Sequence, residues 1–213
     1  MKNEIVLWLF FITAGFMSGS VLYAYLLPKL IKKQDVRMAN SDHNPGTFNA
    51  YLSCGAVIGT LCLVMEVAKG FLPVFVCSRI MGTDRLAFAV LMLSPVAGHA
   101  FSPFLHFKGG KGIAVSFGAL FGLIPNSFSV FLLAAIYIIF ALVFRIRPNR
   151  KLSLFTYITF AILCSALLVY NGKIPIAIGC LLISSVVIFK HFRSVNIPEK
   201  QPEEDKEKIE IYN

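Results

Sequence analysis

Long apolar segments dominate this chain and limit the folds open to it. Seven such segments occupy residues 5–27, 50–68, 86–106, 113–123, 126–144, 152–170 and 174–189. A membrane-spanning helix needs about 20 mainly apolar residues, whereas barrel strands alternate apolar and polar residues over about ten positions. The 213 residues are 57% hydrophobic and only 15% charged, which is too apolar for a water-soluble fold of this size. The sequence therefore predicts an all-α integral membrane protein with about seven transmembrane helices.

Three apolar stretches need individual interpretation. Run 113–123 is short and is stopped by Ile-Pro-Asn at 124–126, which favours a tilted or half span. Run 71–80 is too short to cross, so we expect an interfacial or re-entrant piece there. Segment 5–27 is longer than the apolar part of a signal peptide and precedes six others. We therefore interpret it as a helix of the mature protein.

Basic residues predict the orientation of the chain. The formal net charge is +9, and residues 1–198 alone carry 17 basic against five acidic side chains. If the N-terminus lies outside and seven helices alternate, 15 of the 20 basic residues face the cytoplasm. The remaining five, on the outside, are Lys2, Lys69, Arg79, Arg85 and Lys173. This asymmetry predicts an outside N-terminus and a cytoplasmic C-terminus.

The same charge pattern predicts the domain organisation and the class of ligand. Residues 1–192 form a membrane domain with cytoplasmic loops at 28–49 and 107–112, and residues 193–213 form a charged cytoplasmic tail. An excess of cations beside a membrane favours anionic lipids or anionic substrates. Nucleic acid is a weaker alternative, because the sequence offers no soluble domain to present a basic face.

Several common chemistries lack support in the sequence. The five cysteines lie in apolar sequence without a CxxC pair, which is typical of small buried hydrophobic residues rather than of metal or disulfide sites. The chain has no HExxH or GxSxG pattern, and its Gly-Gly-Lys-Gly lacks the Ser or Thr of a nucleotide-binding P-loop. We expect neither a metal nor a cofactor.

Three predicted cytoplasmic segments carry groups that bind anions. Loop 28–49 is rich in turn-forming residues and precedes a helix expected to begin near Asn49, so backbone N–H groups are available beside a positive helix start. Loop 107–112 places two lysines among three glycines, which allow a ligand to approach the backbone closely. Segment 189–200 contains a histidine, the side chain best suited to accept a hydroxyl proton near neutral pH.

Each of these segments also has a plainer interpretation. The first could be a polar turn, the lysines of the second could only set orientation, and the histidine of the third could be interfacial. The glycines of the second loop favour a phosphate site there. Taken together, the three segments indicate a phosphorylated ligand with a lipid part.

The motifs resemble those of a known family over nearly the whole chain. The matching pieces are Ser-Gly-Ser at 18–20, Asp-Val-Arg at 35–37, Asn-Ser at 40–41, Asn-Pro-Gly-Thr-Phe-Asn at 44–49, EVAKGFLPV at 66–74 and, most specifically, GHAFSPFLHFKGGKGIA at 98–114. They are similar to the PlsY family, bacterial membrane acyltransferases that use acyl phosphate to acylate glycerol 3-phosphate. The resemblance implies seven helices, a bacterial plasma-membrane location, and three cytoplasmic motifs.

The resemblance also implies a reaction and a set of site residues. The sn-1 hydroxyl of glycerol 3-phosphate would attack the acyl phosphate carbonyl, giving lysophosphatidic acid and phosphate for phospholipid synthesis without metal or coenzyme A. The implied catalytic residues are Ser41, His191 and Asn196. The implied substrate-binding residues are Arg37, Asn44, Gly46, Asn49, Lys108, Gly109, Gly110, Lys111 and Gly112.

This chain departs from the family pattern mainly on the acceptor side. The departures are Asn40 for a glycine, Asp42 and His43 for a second glycine, Phe48 for a threonine, Leu52 for an arginine, and two extra residues between His191 and Asn196. Because leucine cannot bind phosphate as arginine does, these departures predict weak or absent use of glycerol 3-phosphate with retained acyl phosphate binding. Either His43 supplies a substitute cation, or the acceptor lacks a phosphate at that point.

The sequence alone therefore leaves other functions open. One is a divergent relative with another acceptor, and a second is a non-catalytic membrane protein that binds lipid or phosphate. A transporter is weaker, because its usual sign is ionisable residues at mid-membrane. Only Glu66 and His99 come near that position, and the predicted segments put both near helix ends.

Overall fold

The structure, a computed structural model, describes residues 2–39 and 43–193, and these are almost entirely helical. The helices are α1 (Lys2–Ser20), α2 (Tyr23–Lys32), α3 (Thr47–Ile80), α4 (Leu86–Ala100), α5 (Ile113–Phe121), α6 (Ser129–Ile138), α7 (Asn149–Tyr170) and α8 (Ile174–Arg193). Short 3-10 turns cover Val36–Met38 and Pro103–Leu105, and a π-helical turn, Ile139–Val143, extends α6. The all-α integral membrane class is confirmed.

Helix length alone does not determine the number of membrane spans. Among the described residues, five stretches are long and apolar enough to cross a membrane: Asn3–Ser20, Thr47–Met81, Leu86–Leu105, Asn149–Tyr170 and Ile174–Arg193. The sequence predicts a tilted or half span at 113–123, and the nine residues of helix α5 agree with the half span. The count of seven stays a prediction, as does the tail, which apart from Arg193 lies outside the described residues.

Helix α3 differs most from the sequence prediction. Residues 71–80 are not an interfacial piece, because they continue the helix that contains Glu66 and Lys69. The backbone leaves helical geometry at Gly55 instead (φ 81°), and the 25 residues from 56 to 80 rise about 37 Å, enough for a full span. Lys69 is therefore not in an outside loop, and Glu66 lies well inside a helix rather than near its end.

The first apolar segment, predicted as one helix over 5–27, is broken between α1 and α2. Backbone groups freed by the break are bonded to charged side chains of α3. Lys69 Nζ donates to the carbonyl of Val21 at 2.6 Å, and the N–H of Ala24 donates to Glu66 Oε1 at 3.1 Å. Broken helices are tolerated at membrane depth only where the protein satisfies such groups. The charges on α3 thus explain a break that the hydrophobic pattern does not reveal.

Small residues allow the helices around the core to approach closely. A Cβ at Gly19 would lie 2.0 Å from the carbonyl oxygen of Pro95, and one at Gly98 would lie 2.1 Å from that of Phe16. Helices α1 and α4 therefore touch backbone to backbone, as is usual where helices associate within a bilayer. Gly19 belongs to the Ser-Gly-Ser motif, so that motif contributes packing.

The start of α1 and the end of α8 contact opposite ends of α4. At its start, Arg85 lies 3.7 Å from Glu4 in the first turn of α1. At its end, Lys190 of α8 donates to the carbonyl of Ala100 at 2.9 Å. The first turn of α1 and the last turn of α8 therefore lie at opposite ends of α4. This agrees with termini on opposite sides of the membrane, although the sidedness itself stays a prediction.

Cysteine labelling can test the sidedness. On a background lacking the five native cysteines, we expect Lys33→Cys to resist a membrane-impermeant maleimide in intact cells, because the charge asymmetry places this residue in the cytoplasm. Asp84→Cys, between α3 and α4, is the matched exposed position at the opposite end and should label readily. Labelling of Lys33→Cys without permeabilisation, with Asp84→Cys protected, would invert the orientation.

Candidate active site

A cavity of about 640 Å³ opens where α3, α5 and α7 begin and where α4 and α8 end. Its walls are formed by Asn44, Gly46, Thr47, Phe48, Asn49, Glu66, His99, Lys111, Gly112, Ile113, Ala114, Tyr137, Pro148, Asn149, Arg150, Lys151, Leu152, Ser153 and His191. Within the described part of the chain, three helix starts present their positive ends to the cavity, and the cationic side chains of Lys111, Arg150 and Lys151 add to them. The arrangement suits anionic ligands.

The first predicted loop reaches the cavity with three of its implied binding residues. Asn49 is buried in the first turn of α3 and donates from Nδ2 to the carbonyl of Asn44 at 2.8 Å. Gly46 precedes α3 and also bonds to that carbonyl through its N–H, at 2.8 Å. A Cβ at Gly46 would lie 2.4 Å from the Asn44 amide, so a larger residue would disturb the turn. Helix α3 begins two residues before Asn49, close to the expected start.

The second loop divides its implied residues between two tasks. Lys111 and Gly112 line the cavity, and Gly112 caps α5 with φ 86°, a conformation suited to glycine. Lys108 is exposed and does not line the cavity. Gly109 and Gly110 also lie off the cavity wall and are buried against His99. The loop thus offers one lysine, not two, to a ligand in this cavity.

The third segment contributes His191, which is buried at the cavity wall. Its Nδ1 lies 2.7 Å from the carbonyl oxygen of Val187. Because a carbonyl oxygen can only accept, Nδ1 carries a proton, and in a neutral ring Nε2 is then the acceptor nitrogen. In this tautomer Nε2 is the ring nitrogen that can accept a proton. Ser41 and Asn196, the other implied catalytic residues, lie outside the described residues.

Arg37, implied as a substrate-binding residue, lies away from this cavity. Its Nε donates to Asp35 Oδ1 at 2.9 Å, and its guanidinium lies 4.9 Å from the centre of the Tyr25 ring. The hydrogen bond from Arg37 lowers the pKa of the Asp35 carboxyl, and the same pairing raises the pKa of Arg37. In this conformation Arg37 serves the local fold of the first loop, and its role toward substrate stays a prediction.

Several cavity residues were missed by reasoning from the sequence. Arg150 and Lys151 occupy the first turn of α7, where a helix dipole disfavours positive charge by about 0.3–1 kcal/mol each. In the sequence both residues contribute to the charge asymmetry that predicts orientation, but two cations at a helix start indicate an anion site as well. Tyr137 and Ser153 also line the cavity and are hydrogen-bonded at 2.8 Å.

Phe48, Leu52 and His43, which depart from the family pattern, lie in three different places. Phe48 lines the cavity, whereas Leu52 lines a separate, smaller one of about 380 Å³ beside Asp35. His43 is exposed, with Nδ1 2.9 Å from the carbonyl oxygen of Arg37, and it does not line the main cavity. The structure therefore does not favour His43 as the substitute cation. Among the described residues, cationic groups at the cavity come from the second loop and from α7.

Comparison with known proteins identifies similar sequences. Residues 9–197 match the family described as Glycerol-3-phosphate acyltransferase. A protein of that name from Thermotoga petrophila is 40% identical over 114 residues, covering 54% of this chain and 57% of the relative. The alignment thus spans little more than half of that relative. Longer alignments exist with proteins of the same name from Clostridium acetobutylicum (30% identity, 89% of this chain, 96% of the relative) and Shewanella halifaxensis (33%, 87% and 88%).

Two solved structures share the fold. Both are of PlsY, described as an integral membrane glycerol 3-phosphate acyltransferase. The glycerol 3-phosphate form superposes with a TM-score of 0.76 at 25% identity, covering 89% of this chain and 90% of that one. The lysophosphatidic acid form gives 0.74 at 24% identity with the same coverage.

Proposed function

The chain belongs to the glycerol-3-phosphate acyltransferase family, and on that premise we propose that it acylates glycerol 3-phosphate in the bacterial plasma membrane. The donor is a fatty acyl phosphate, and the products are lysophosphatidic acid and inorganic phosphate. The observation that carries the proposal is the cavity itself. It gathers residues of all three motif segments, namely Asn49, Lys111 and His191, against three helix starts.

The chemistry needs little beyond positioning and charge stabilisation. An acyl phosphate is a mixed anhydride and is already activated, so no covalent enzyme intermediate is required. The sn-1 hydroxyl forms a bond to the acyl carbon, and the bond from that carbon to the phosphate oxygen breaks. Lys111 and the backbone N–H groups at the start of α5 stabilise the charge that the leaving phosphate gains. His191 accepts the hydroxyl proton through Nε2.

The acceptor phosphate needs its own cations. A phosphate monoester carries about −1.5 to −2 charges at pH 7, so a single lysine would leave the second ligand uncompensated. Arg150 and Lys151 line the same cavity from α7, and arginine can bind a phosphate through two parallel hydrogen bonds. In this proposal they take the place of the arginine that Leu52 replaces. On this basis we expect glycerol 3-phosphate to be used, in contrast to the expectation from the first motif alone.

A direct assay tests the proposal. Purified protein in detergent or vesicles should release phosphate from palmitoyl phosphate only when glycerol 3-phosphate is added, and lysophosphatidic acid should form in equal amount. Two other acceptors serve as comparisons: glycerol lacks the phosphate, and dihydroxyacetone phosphate has a ketone in place of the secondary hydroxyl. Turnover with another acceptor alone would support a divergent enzyme. Tight binding of acyl phosphate without any turnover would support the non-catalytic alternative.

A further inference from the structure

Three ionisable side chains form a buried cluster at the cavity wall, where two of them, Glu66 and His99, are among the lining residues. Glu66 and Lys69 lie one turn apart on α3, with Oε2 and Nζ 2.7 Å apart. His99, near the end of α4, places Nδ1 3.0 Å from both Glu66 Oε2 and Lys69 Nζ. Each residue is at most 5% exposed. Burying such groups at membrane depth is costly, so a cluster of this kind usually has a task beyond packing.

The cluster is also bonded to the break between α1 and α2. Glu66 and Lys69 each bond a backbone group at the break between α1 and α2, as described above. The Nδ1 edge of His99 is therefore fixed by two charged partners, which themselves have further fixed contacts. The ring has little freedom to turn without breaking a buried ion pair.

The opposite edge of the ring and the backbone carbonyl of His99 both contact the glycine loop. Gly110 donates its N–H to the carbonyl of His99 at 3.1 Å. A Cβ at Gly110 would lie 2.2 Å from His99 Nε2, and one at Gly109 would lie 1.9 Å from the His99 carbonyl oxygen. The two glycines are thus in direct contact with His99, and Lys111 follows at once in the chain. Neither glycine lines the cavity, so close packing explains their presence better than ligand contact does.

We propose that Glu66, Lys69 and His99 are positioning residues for the acyl phosphate site. The ion cluster fixes the His99 ring, and the ring packs against Gly110, while the His99 carbonyl packs against Gly109. The two glycines in turn set Lys111 and Gly112 for the donor phosphate. The inference rests on the proposed function for the identity of that ligand. A cluster that only joined α3 and α4 would instead affect stability and both substrates alike.

A double-mutant cycle between Gly110 and His99 tests the coupling. We expect Gly110→Ala to raise the KM for palmitoyl phosphate about tenfold, because the new methyl group and the imidazole cannot both keep their places. We expect His99→Ala to raise it by a similar factor. The double variant should be no worse than His99→Ala, since the methyl group then occupies vacated space. The kcat and the KM for glycerol 3-phosphate should change less than threefold in all three.

A matched glycine distinguishes positioning from general packing. A Cβ at Gly15 would lie 2.2 Å from Ser94 Oγ between α1 and α4, so Gly15→Ala introduces a comparable clash with a side chain away from the loop. It should lower the melting temperature without changing the KM for palmitoyl phosphate. Glu66→Gln, which keeps the shape of the side chain, should raise that KM without loss of folded protein.

Binding of a non-hydrolysable acyl phosphonate, followed by titration calorimetry, gives a readout that does not depend on turnover. The same coupling between Gly110→Ala and His99→Ala should appear in its Kd even if the protein proves not to be catalytic. Additive effects in the double variant, or an equal loss of acyl phosphonate affinity in Gly15→Ala, would overturn the positioning role. Absence of turnover with intact coupling would instead count against the proposed function alone.

Discussion

Replacing Lys111 with alanine is expected to lower kcat/KM for acyl phosphate by about 10- to 150-fold. Lys111 lines the cavity directly before α5, and a hydrogen bond to a charged group contributes about 1.5–3 kcal/mol. The loss in kcat/KM should be larger for acyl phosphate than for glycerol 3-phosphate, because the lysine is assigned to the donor phosphate. Steady-state phosphate release with each substrate varied in turn measures both effects.

The same loop supplies the control. Lys108 has the same charge and lies three residues earlier, but it is exposed and is not part of the cavity wall. Lys108→Ala should therefore keep kcat/KM within twofold, although the sequence motif alone implies that both lysines bind substrate. Elution volume and melting temperature should match the native protein in both variants. Equal losses at the two positions would mean that the loop acts through its general charge rather than through one placed lysine.

The fold was predictable at the level of class and less so in its breaks. Apolar length alone identified a helical membrane protein, because no soluble or barrel fold tolerates such segments. It could not show that the helix continues through Lys69, since a charged residue normally ends an apolar run. The charge is accommodated by Glu66 on the same helix and by His99 on another. The second of these partners, 30 residues away, is visible only in three dimensions.

The candidate site was predictable where its chemistry is local. Lys111 and Gly112 lie in one short motif that predicts them as ligand-binding residues, and both lie on the cavity wall. The cationic contribution of α7 was not predictable in this way, because basic residues beside a membrane segment also set orientation. The position of Gly109 and Gly110 off the cavity wall was not predictable for a related reason. A glycine that admits a ligand and one that admits a neighbouring histidine look the same in a sequence.

The acceptor site gives the second large expected effect. Arg150→Ala should raise the KM for glycerol 3-phosphate by about 10- to 150-fold, because a hydrogen bond to a charged group contributes about 1.5–3 kcal/mol. The KM for acyl phosphate should change less than threefold. Arg150 is half-buried at the cavity wall in the first turn of α7, whose dipole disfavours a cation there. A bound phosphate would offset that disadvantage. Initial rates with glycerol 3-phosphate varied at saturating palmitoyl phosphate measure the effect.

Two further variants separate the possible sources of the acceptor-binding charge. Arg147 belongs to the same basic run but is exposed and off the cavity wall. Arg147→Ala therefore tests the long-range positive electrostatic potential of this run, and it should change the KM for glycerol 3-phosphate less than twofold. His43→Ala tests the substitute suggested by the altered first loop and should also have little effect, because this ring contacts Arg37 outside the cavity. A large rise in KM with His43→Ala and none with Arg150→Ala would reverse the assignment. If native protein used glycerol as well as glycerol 3-phosphate, the acceptor phosphate would not be recognised at all, and the cations of α7 would have to serve another anion.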